Sequence, residues 1–319
     1  MKNSIIHRYF LLAILLATLS QSCVKDSNSF VVTNPGTSFK GNIKNIYINA
    51  EKDVIPESYV INSAVENLVT TSNGMRIVIP SSSFLTFDKK AVTGDVRLSI
   101  YLLTKKSDWV RFAQFSNNSN YLIDWYKTLS VEATANGIPL ILKEGKSLTL
   151  QLPEDNPSVN WKLFNGEYQN SRTFLTTVSP IGYNYKTWKN DKGIEIKGLE
   201  FPLTDLNWIG IGTIINNPPQ NGILVNLPNN FRQFNTAVIA TNPLDNVIYY
   251  LNITSTSSSS FKGYLHTLKD ITLLVLSEQG DNTYYGSKDY YQELSPDAVI
   301  DKDPSLKSQL EIDEYINAL

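Results

Sequence analysis

Hydrophobic and polar residues alternate with period two along much of this chain. Val96, Leu98, Ile100 and Leu102 fall on one parity, and Asp95, Arg97, Ser99 and Tyr101 on the other. Leu129, Val131 and Ala133 alternate in the same way with Ser130, Glu132 and Thr134. So do Leu148, Leu150 and Leu152 with Ser147, Thr149 and Gln151. Successive side chains on a strand point to opposite faces, so each stretch predicts a strand with one buried face. Turn residues punctuate the gaps at Ser72-Asn73-Gly74, Thr93-Gly94, Asn136-Gly137 and Glu144-Gly145. Asn136-Gly137 lies between Ala133 and Leu140 and predicts a tight hairpin. Beyond Pro218-Pro219 further strands are expected around 222–227, 237–240, 247–253 and 271–277. Many short strands, with no long amphipathic helix between them, predict an all-β fold of two antiparallel β-sandwich-like modules. The period changes once. Ile312, Tyr315, Ile316 and Leu319 follow i, i+3, i+4, i+7, and Asp303-Pro304 suits a cap and first turn, so a short C-terminal helix is expected.

The N-terminus follows neither period. Lys2 and Arg8 precede an apolar run from Tyr9 to Leu19, and Ser20, Gln21, Ser22 and Cys23 follow it. A basic start, a short apolar stretch and small residues at a processing point describe a secretory signal peptide. The run is too short for a membrane span, which needs about 20 residues. The chain's one cysteine stands where the signal ends, an arrangement that resembles a bacterial lipoprotein signal. That resemblance implies cleavage after residue 22 and lipid on Cys23. Leu19 lies one place early and Gln21 fills a position that is usually small, a looseness that resembles lipoproteins of the Bacteroidota. The alternative is a secreted chain with an incidental cysteine. Residues 23–42, rich in Ser, Asn, Thr and Gly without periodicity, read as a flexible tether. Val24 offers no acidic inner-membrane retention residue, so outer-membrane anchoring is expected, on the periplasmic or the surface face.

A second resemblance covers about half of the remaining chain in scattered blocks. Gly74-Met75-Arg76-Ile77-Val78-Ile79-Pro80, Phe84, and Val92-Thr93-Gly94-Asp95-Val96 follow one another in order. Lys106-Ser107-Asp108, Glu132-Ala133-Thr134-Ala135-Asn136-Gly137 and Gly145-Lys146-Ser147-Leu148 continue the series. Leu163-Phe164-Asn165-Gly166-Glu167 and Leu206-Asn207-Trp208-Ile209 close it. Together they resemble a family of Bacteroidota envelope lipoproteins with a ZU5-like β-sandwich. The resemblance implies a sandwich and an envelope location, and it brings no catalytic residues. The expected organisation is a signal peptide at 1–22, the tether at 23–42 and a ZU5-like sandwich at 43–155. A connecting region at 156–217 and a second β-rich domain with the terminal helix at 218–319 complete it.

Composition narrows the chemistry. Lys and Arg number 28 against 30 Asp and Glu, so no basic excess exists to neutralise phosphates, and nucleic acid is not an expected partner. Zinc normally takes three or four Cys and His ligands, but the chain has one Cys and two His, so zinc is not expected. Oxygen-ligated calcium near Asp281, Asn282 and Asp289 is the alternative, but that run lacks the EF-hand pattern and reads better as an acidic surface turn, so no metal or other cofactor is expected. His7 leaves with the signal, which makes His266 the remaining candidate for a catalytic base. It lies in Gly263-Tyr264-Leu265-His266 without a nucleophile elbow nearby, which favours a packing role and no catalytic residue. Carboxylate-only glycoside hydrolysis survives this inventory, since it needs just two acids, though nothing in the sequence pairs them. The one binding hint is aromatic: Tyr284 and Tyr285, then Tyr290 and Tyr291, in a polar stretch. Paired tyrosines can stack on a sugar or dock a protein, or else pack across a hairpin. The expectation is therefore a non-catalytic, lipid-anchored envelope protein serving interaction, adhesion or assembly. The alternative is a glycan-binding or carboxylate-based carbohydrate-active lipoprotein.

Overall fold

The predicted alternation becomes three large sheets in a computed structural model. It describes residues 54–112, 116, 122–169, 172–178, 182–190, 192–215, 221–255, 258–280 and 282–319. The signal peptide, the tether and Cys23 lie outside the described residues. All described residues belong to one compact unit, Pro35–Leu319; the other unit, Met1–Asn34, lies outside them.

The first sheet runs in the order Glu57–Asn62, Asp95–Leu103, Leu122–Ala135, Trp208–Ile215, Trp161–Gln169 and Arg172–Val178. Ile138–Pro139 joins Leu122–Ala135 through the Asn136-Gly137 turn. Both turn residues have positive φ, 50° and 77°, as that hairpin demands. The second sheet runs Asn184–Lys189, Glu195–Leu203, Leu148–Pro153, Arg76–Ile79 and Asn67–Thr70. These two sheets form a sandwich around Met75, Ile77, Leu98, Val131, Leu150 and Phe201, all buried.

The stretch 156–217 therefore does not connect two domains, contrary to expectation. It supplies five strands to the same two sheets, because its apolar residues Leu163, Leu199, Phe201, Ile209 and Ile211 complete the first core.

The third sheet has eight strands, in the order Ala298–Asp301, Asn221–Asn226, Ser260–Leu265, Ile248–Ile253, Thr236–Thr241, Ile271–Gln279, Asn282–Tyr290 and Ser305–Leu306. Pairing is antiparallel except between Asn221–Asn226 and Ala298–Asp301. Ile248–Ile253 pairs with Thr236–Thr241 over its first four residues and with Ser260–Leu265 over its last two. The sheet thus folds over on itself and encloses Ile223, Val225, Phe261, Val238, Ala240 and Val275.

A third core joins the modules. Tyr101, Trp109, Trp125, Phe164 and Trp208 come from the first, and Ile239, Ile248, Tyr250, Leu274 and Leu276 from the second. Thr236–Thr241 is buried at every position because Ala237 and Ile239 face this seam while Val238 and Ala240 face the second module's own core.

The terminal helix is Gln309–Asn317, and it starts later than Asp303-Pro304 would place it. Ser308 and Glu311 form a capping box that satisfies its first backbone donors, whereas Ser305–Leu306 extends as a strand beside Tyr284 and Tyr285. Ile312 and Ile316 are buried in the seam. Among the described residues, no helix is long and apolar enough to cross a membrane.

Candidate functional site

One inserted residue shapes a cleft in the first module. Between Trp208–Ile215 and Leu122–Ala135, Lys127 pairs with Ile211 while Trp125 pairs with Gly212, so Tyr126 has no partner of its own. Such a bulge shifts the parity of everything beyond it. Ile123 and Trp125 point into the seam, whereas Leu129, Val131 and Ala133 point into the first sandwich. One strand thereby serves two cores. The bulge needs Gly212: a Cβ there would stand 2.6 Å from the Asp124 carbonyl oxygen and 2.8 Å from Ile123 Cγ2.

Past the bulge, Lys127 lines a cleft of about 430 Å³ at one end of the first sandwich. Val54, Ile55, Leu102 and Pro153 supply its accessible apolar lining, over the buried Met75, Ile100 and Leu152. Glu57, Thr71, Asn73 and Thr104 join Lys127 as its polar groups. The Lys127 ammonium lies 3.5 Å from Glu154 Oε2, an oxygen that also accepts the Tyr126 hydroxyl, and 4.4 Å from the Tyr126 ring centre. Burial pushes Lys127 below the ordinary lysine range. Tyr126 stacks on Trp161 with ring centres 4.0 Å apart. Glu57 is fixed by three donors: the Tyr59 hydroxyl at 2.6 Å, the Ser72 N–H at 2.8 Å and the Ser72 hydroxyl at 2.6 Å. Burial opposes its charge, but the hydrogen bonds from Ser72 and Tyr59 outweigh that and hold the carboxyl below its usual range.

A second polar cluster occupies the seam. The turn 242–247 of the folded sheet is gripped from the first module. Lys106 donates to the Asn242 carbonyl, Asp124 accepts the Asn246 N–H at 3.0 Å, and the Ser116 hydroxyl accepts the Ile248 N–H at 2.9 Å. Burial pushes Lys106 down and Asp124 up; Asp245 adds to the rise at Asp124. His266 Nε2 stands 3.0 Å from Asp245 Oδ2, and Nδ1 is hydrogen-bonded to the Tyr249 hydroxyl. That hydroxyl accepts the His266 N–H at 3.1 Å, so its own proton is free for Nδ1, leaving Nε2–H to donate to Asp245. Burial pushes Tyr249 far above the ordinary tyrosine range.

The four tyrosines do not share one platform. Tyr285 is buried and stacked on Tyr315 at 4.6 Å, while Tyr284 meets Phe231 edge-on across the second core. Tyr290 packs at that same core under Lys288, and Tyr291 is 78% exposed. Cys23 lies outside the described residues. No group of three or more His, Cys, Asp or Glu is placed to hold a metal ion among the described residues. Sequence reasoning missed Glu57, Tyr126, Lys127 and Glu154. The one sign of them was the failed alternation in Leu122-Ile123-Asp124-Trp125-Tyr126-Lys127. No family model matches the chain, and no curated protein is similar to it at a significant level.

Proposed function

We propose that this chain is a non-catalytic protein of the bacterial outer membrane, anchored through lipid on Cys23, whose folded body serves protein interaction or assembly. The observation that carries this reading is the shared seam core. Tyr101, Trp109, Trp125 and Trp208 pack against Ile239, Leu274 and Leu276, so two sandwiches behave as one stiff unit suited to presenting a surface. The groups with the most chemical potential hold that unit together. His266 is engaged through both ring nitrogens, and Lys106 and Asp124 clasp a turn. The glycan-binding alternative takes its motive from the tyrosine pairs, which are dispersed; carboxylate-based hydrolysis, which needs only two acids, remains the second reading. The ZU5-like resemblance agrees with a sandwich on an envelope lipoprotein.

The test begins at Cys23. Replacing it with Ser in the native host leaves an unprocessed or soluble chain that no longer enters the detergent phase, while the native chain fractionates with the outer membrane. Unchanged partitioning of the variant would defeat the anchoring claim. Cross-linking in intact envelopes, followed by identification of the partner, tests the interaction claim.

A further inference from the structure

One sheet edge lacks the guards that others carry. Among the described residues, Glu57–Asn62 pairs on one side with Asp95–Leu103 and has no strand on the other. An open edge offers a row of backbone N–H and C=O groups, which proteins usually blunt with lysine, proline or very short strands. The edge Asn184–Lys189 carries Lys186 and Lys189, and Ser305–Leu306 is two residues long. Glu57–Asn62 has six residues, and its one charge, Glu57, is tied to Tyr59 and Ser72. Its outward residues Ser58, Val60 and Asn62 are exposed, Val60 to 60%. Tyr59 and Ile61 pack at the first core.

The sequence just upstream matches this edge. Residues 45–50 read Asn45-Ile46-Tyr47-Ile48-Asn49-Ala50, and residues 51–56 separate them from Glu57. Six residues fall within the commonest connection lengths of about 2–6. Val54, in that connection, packs against the seam core. An antiparallel hairpin about it sets Ala50 opposite Glu57, Asn49 opposite Ser58, Ile48 opposite Tyr59, Tyr47 opposite Val60, Ile46 opposite Ile61 and Asn45 opposite Asn62. Every pair then matches in character. Ile46 and Ile48 join Tyr59 and Ile61 on the inward face, and Asn45 and Asn49 join Ser58 and Asn62 on the outward face. Tyr47 falls beside Val60, an aromatic against a β-branched residue, which is a stabilising cross-strand pair. A slip by one residue turns Asn45, Tyr47 and Asn49 inward, so the pattern selects one register. Lys44, next on the inward parity, lies past the end of the edge strand.

We propose that the open edge of Glu57–Asn62 is a docking site for residues 45–50 of the same chain, which add to it as a strand and close the first sheet. A second copy is the weaker occupant. The chain's own segment is six residues away and costs one short loop to bring in, whereas a second copy has to be recruited from solution. Closure removes a surface for edge-to-edge pairing of neighbouring copies. It also leaves only residues 23–44 between Cys23 and the body, a reach of at most about 80 Å. The claim concerns the body alone and depends neither on lipid at Cys23 nor on the proposed interaction role.

The experiment uses the chain from residue 23 with Cys23→Ser, which is lipid-free and, since the chain has one cysteine, cysteine-free. Hydrogen exchange read by mass spectrometry needs no further substitution. Amides of 45–50 should exchange at least about tenfold more slowly than those of 24–40. Equally fast exchange in the two segments would overturn the proposal. Asn49→Cys with Ser58→Cys should form a disulfide within one chain on oxidation, because directly opposed strand residues have Cα atoms about 4.5–5.5 Å apart, within disulfide reach. Ile48→Cys with Ser58→Cys, the pair that a one-residue slip brings together, should stay reduced. Links that join two copies assign the edge to a second copy, and no link from Asn49→Cys places the segment elsewhere; either result overturns the proposal. Ile46→Asp with Ile48→Asp should return 45–50 to the exchange rate of 24–40 while Leu148–Pro153 stays protected. Slow exchange at 45–50 that survives in that variant also counts against it.

Discussion

Arg111 Nη1 stands 2.9 Å from Asp313 Oδ1, joining the helix Lys106–Arg111 of the first module to the terminal helix. The arginine is 1% exposed, and its other amino group donates to the Asp313 carbonyl and to Asn317 Oδ1, each at 3.2 Å. A guanidinium taken so far from water has to be met by acceptors, since desolvating it unpaired is costly. The contact thus fixes where the terminal helix closes the seam, with Ile312 and Ile316 beneath it.

Asp313→Ala should therefore destabilise the fold by about 2–3 kcal/mol, short of the roughly 3–5 kcal/mol typical of a wholly buried pair because Asp313 keeps some water and Asn317 remains. Denaturant melts measure it. A cost under about 0.5 kcal/mol, ordinary for a surface position, would contradict the role assigned to this pair.

Acid should loosen the same helix through its cap. Lys307 chiefly, then the Ser308 N–H and hydroxyl, hold Glu311 down from 4.5 to about 2. A carboxyl with a depressed folded pKa stabilises above its unfolded value, and the contribution fades as pH falls through the folded one. Glu311→Gln should be less stable than the native chain at about pH 6, and the gap should close between about pH 4.5 and 2. Amide exchange across Gln309–Asn317 reads it directly; a gap that stays constant with pH would exclude this cause.

The strands were legible because alternation reports one buried face, as at Leu148–Pro153, where every second residue is buried. The capping box was also present in the sequence as Ser308 and Glu311, but the Asp-Pro pair at 303 draws the boundary too early. What alternation cannot report is a second cover. Tyr101 lies on the polar parity of its strand, yet it is buried because another module packs there. The cleft was hidden for a related reason: the bulge at Tyr126 breaks the period, and its purpose emerges only once two cores are in view.

Gly212 tests that bulge. An added methyl group meets backbone, the Asp124 carbonyl, and cannot be relieved by a side-chain rotation. Gly212→Ala should cost about 1–3 kcal/mol, as overpacking does in a well-filled interior. It should also disturb Lys127, whose partner across the strand is the neighbouring Ile211. Denaturant melts measure the cost, and a variant as stable as the native chain would show that the bulge tolerates a side chain.

Strand Asp95–Leu103 carries the sharpest contrast between the faces. Val96, Leu98 and Ile100 are buried in the first sandwich, while Asp95 and Arg97 are exposed. From Tyr101 onward the outer face is covered too, and Tyr101 and Leu103 lie in the seam with Trp109 and Phe112. Tyr101 meets Phe112 edge-on at 5.6 Å and Trp208 at 6.1 Å. Leu98→Ala or Ile100→Ala should cost about 2–5 kcal/mol, the range for truncating a buried aliphatic side chain. Arg97→Ala, on the opposite parity and open to water, should cost under about 0.5 kcal/mol. Leu103→Ala shares the parity of Arg97, yet it should fall in the costly range because it removes apolar area from the seam. Against a total stability of about 5–15 kcal/mol, these differences are large enough for denaturant melts to resolve. If Leu103→Ala proved as mild as Arg97→Ala, the second module would not be packed on this face, and the shared core that makes one stiff body of two sandwiches would have to be abandoned.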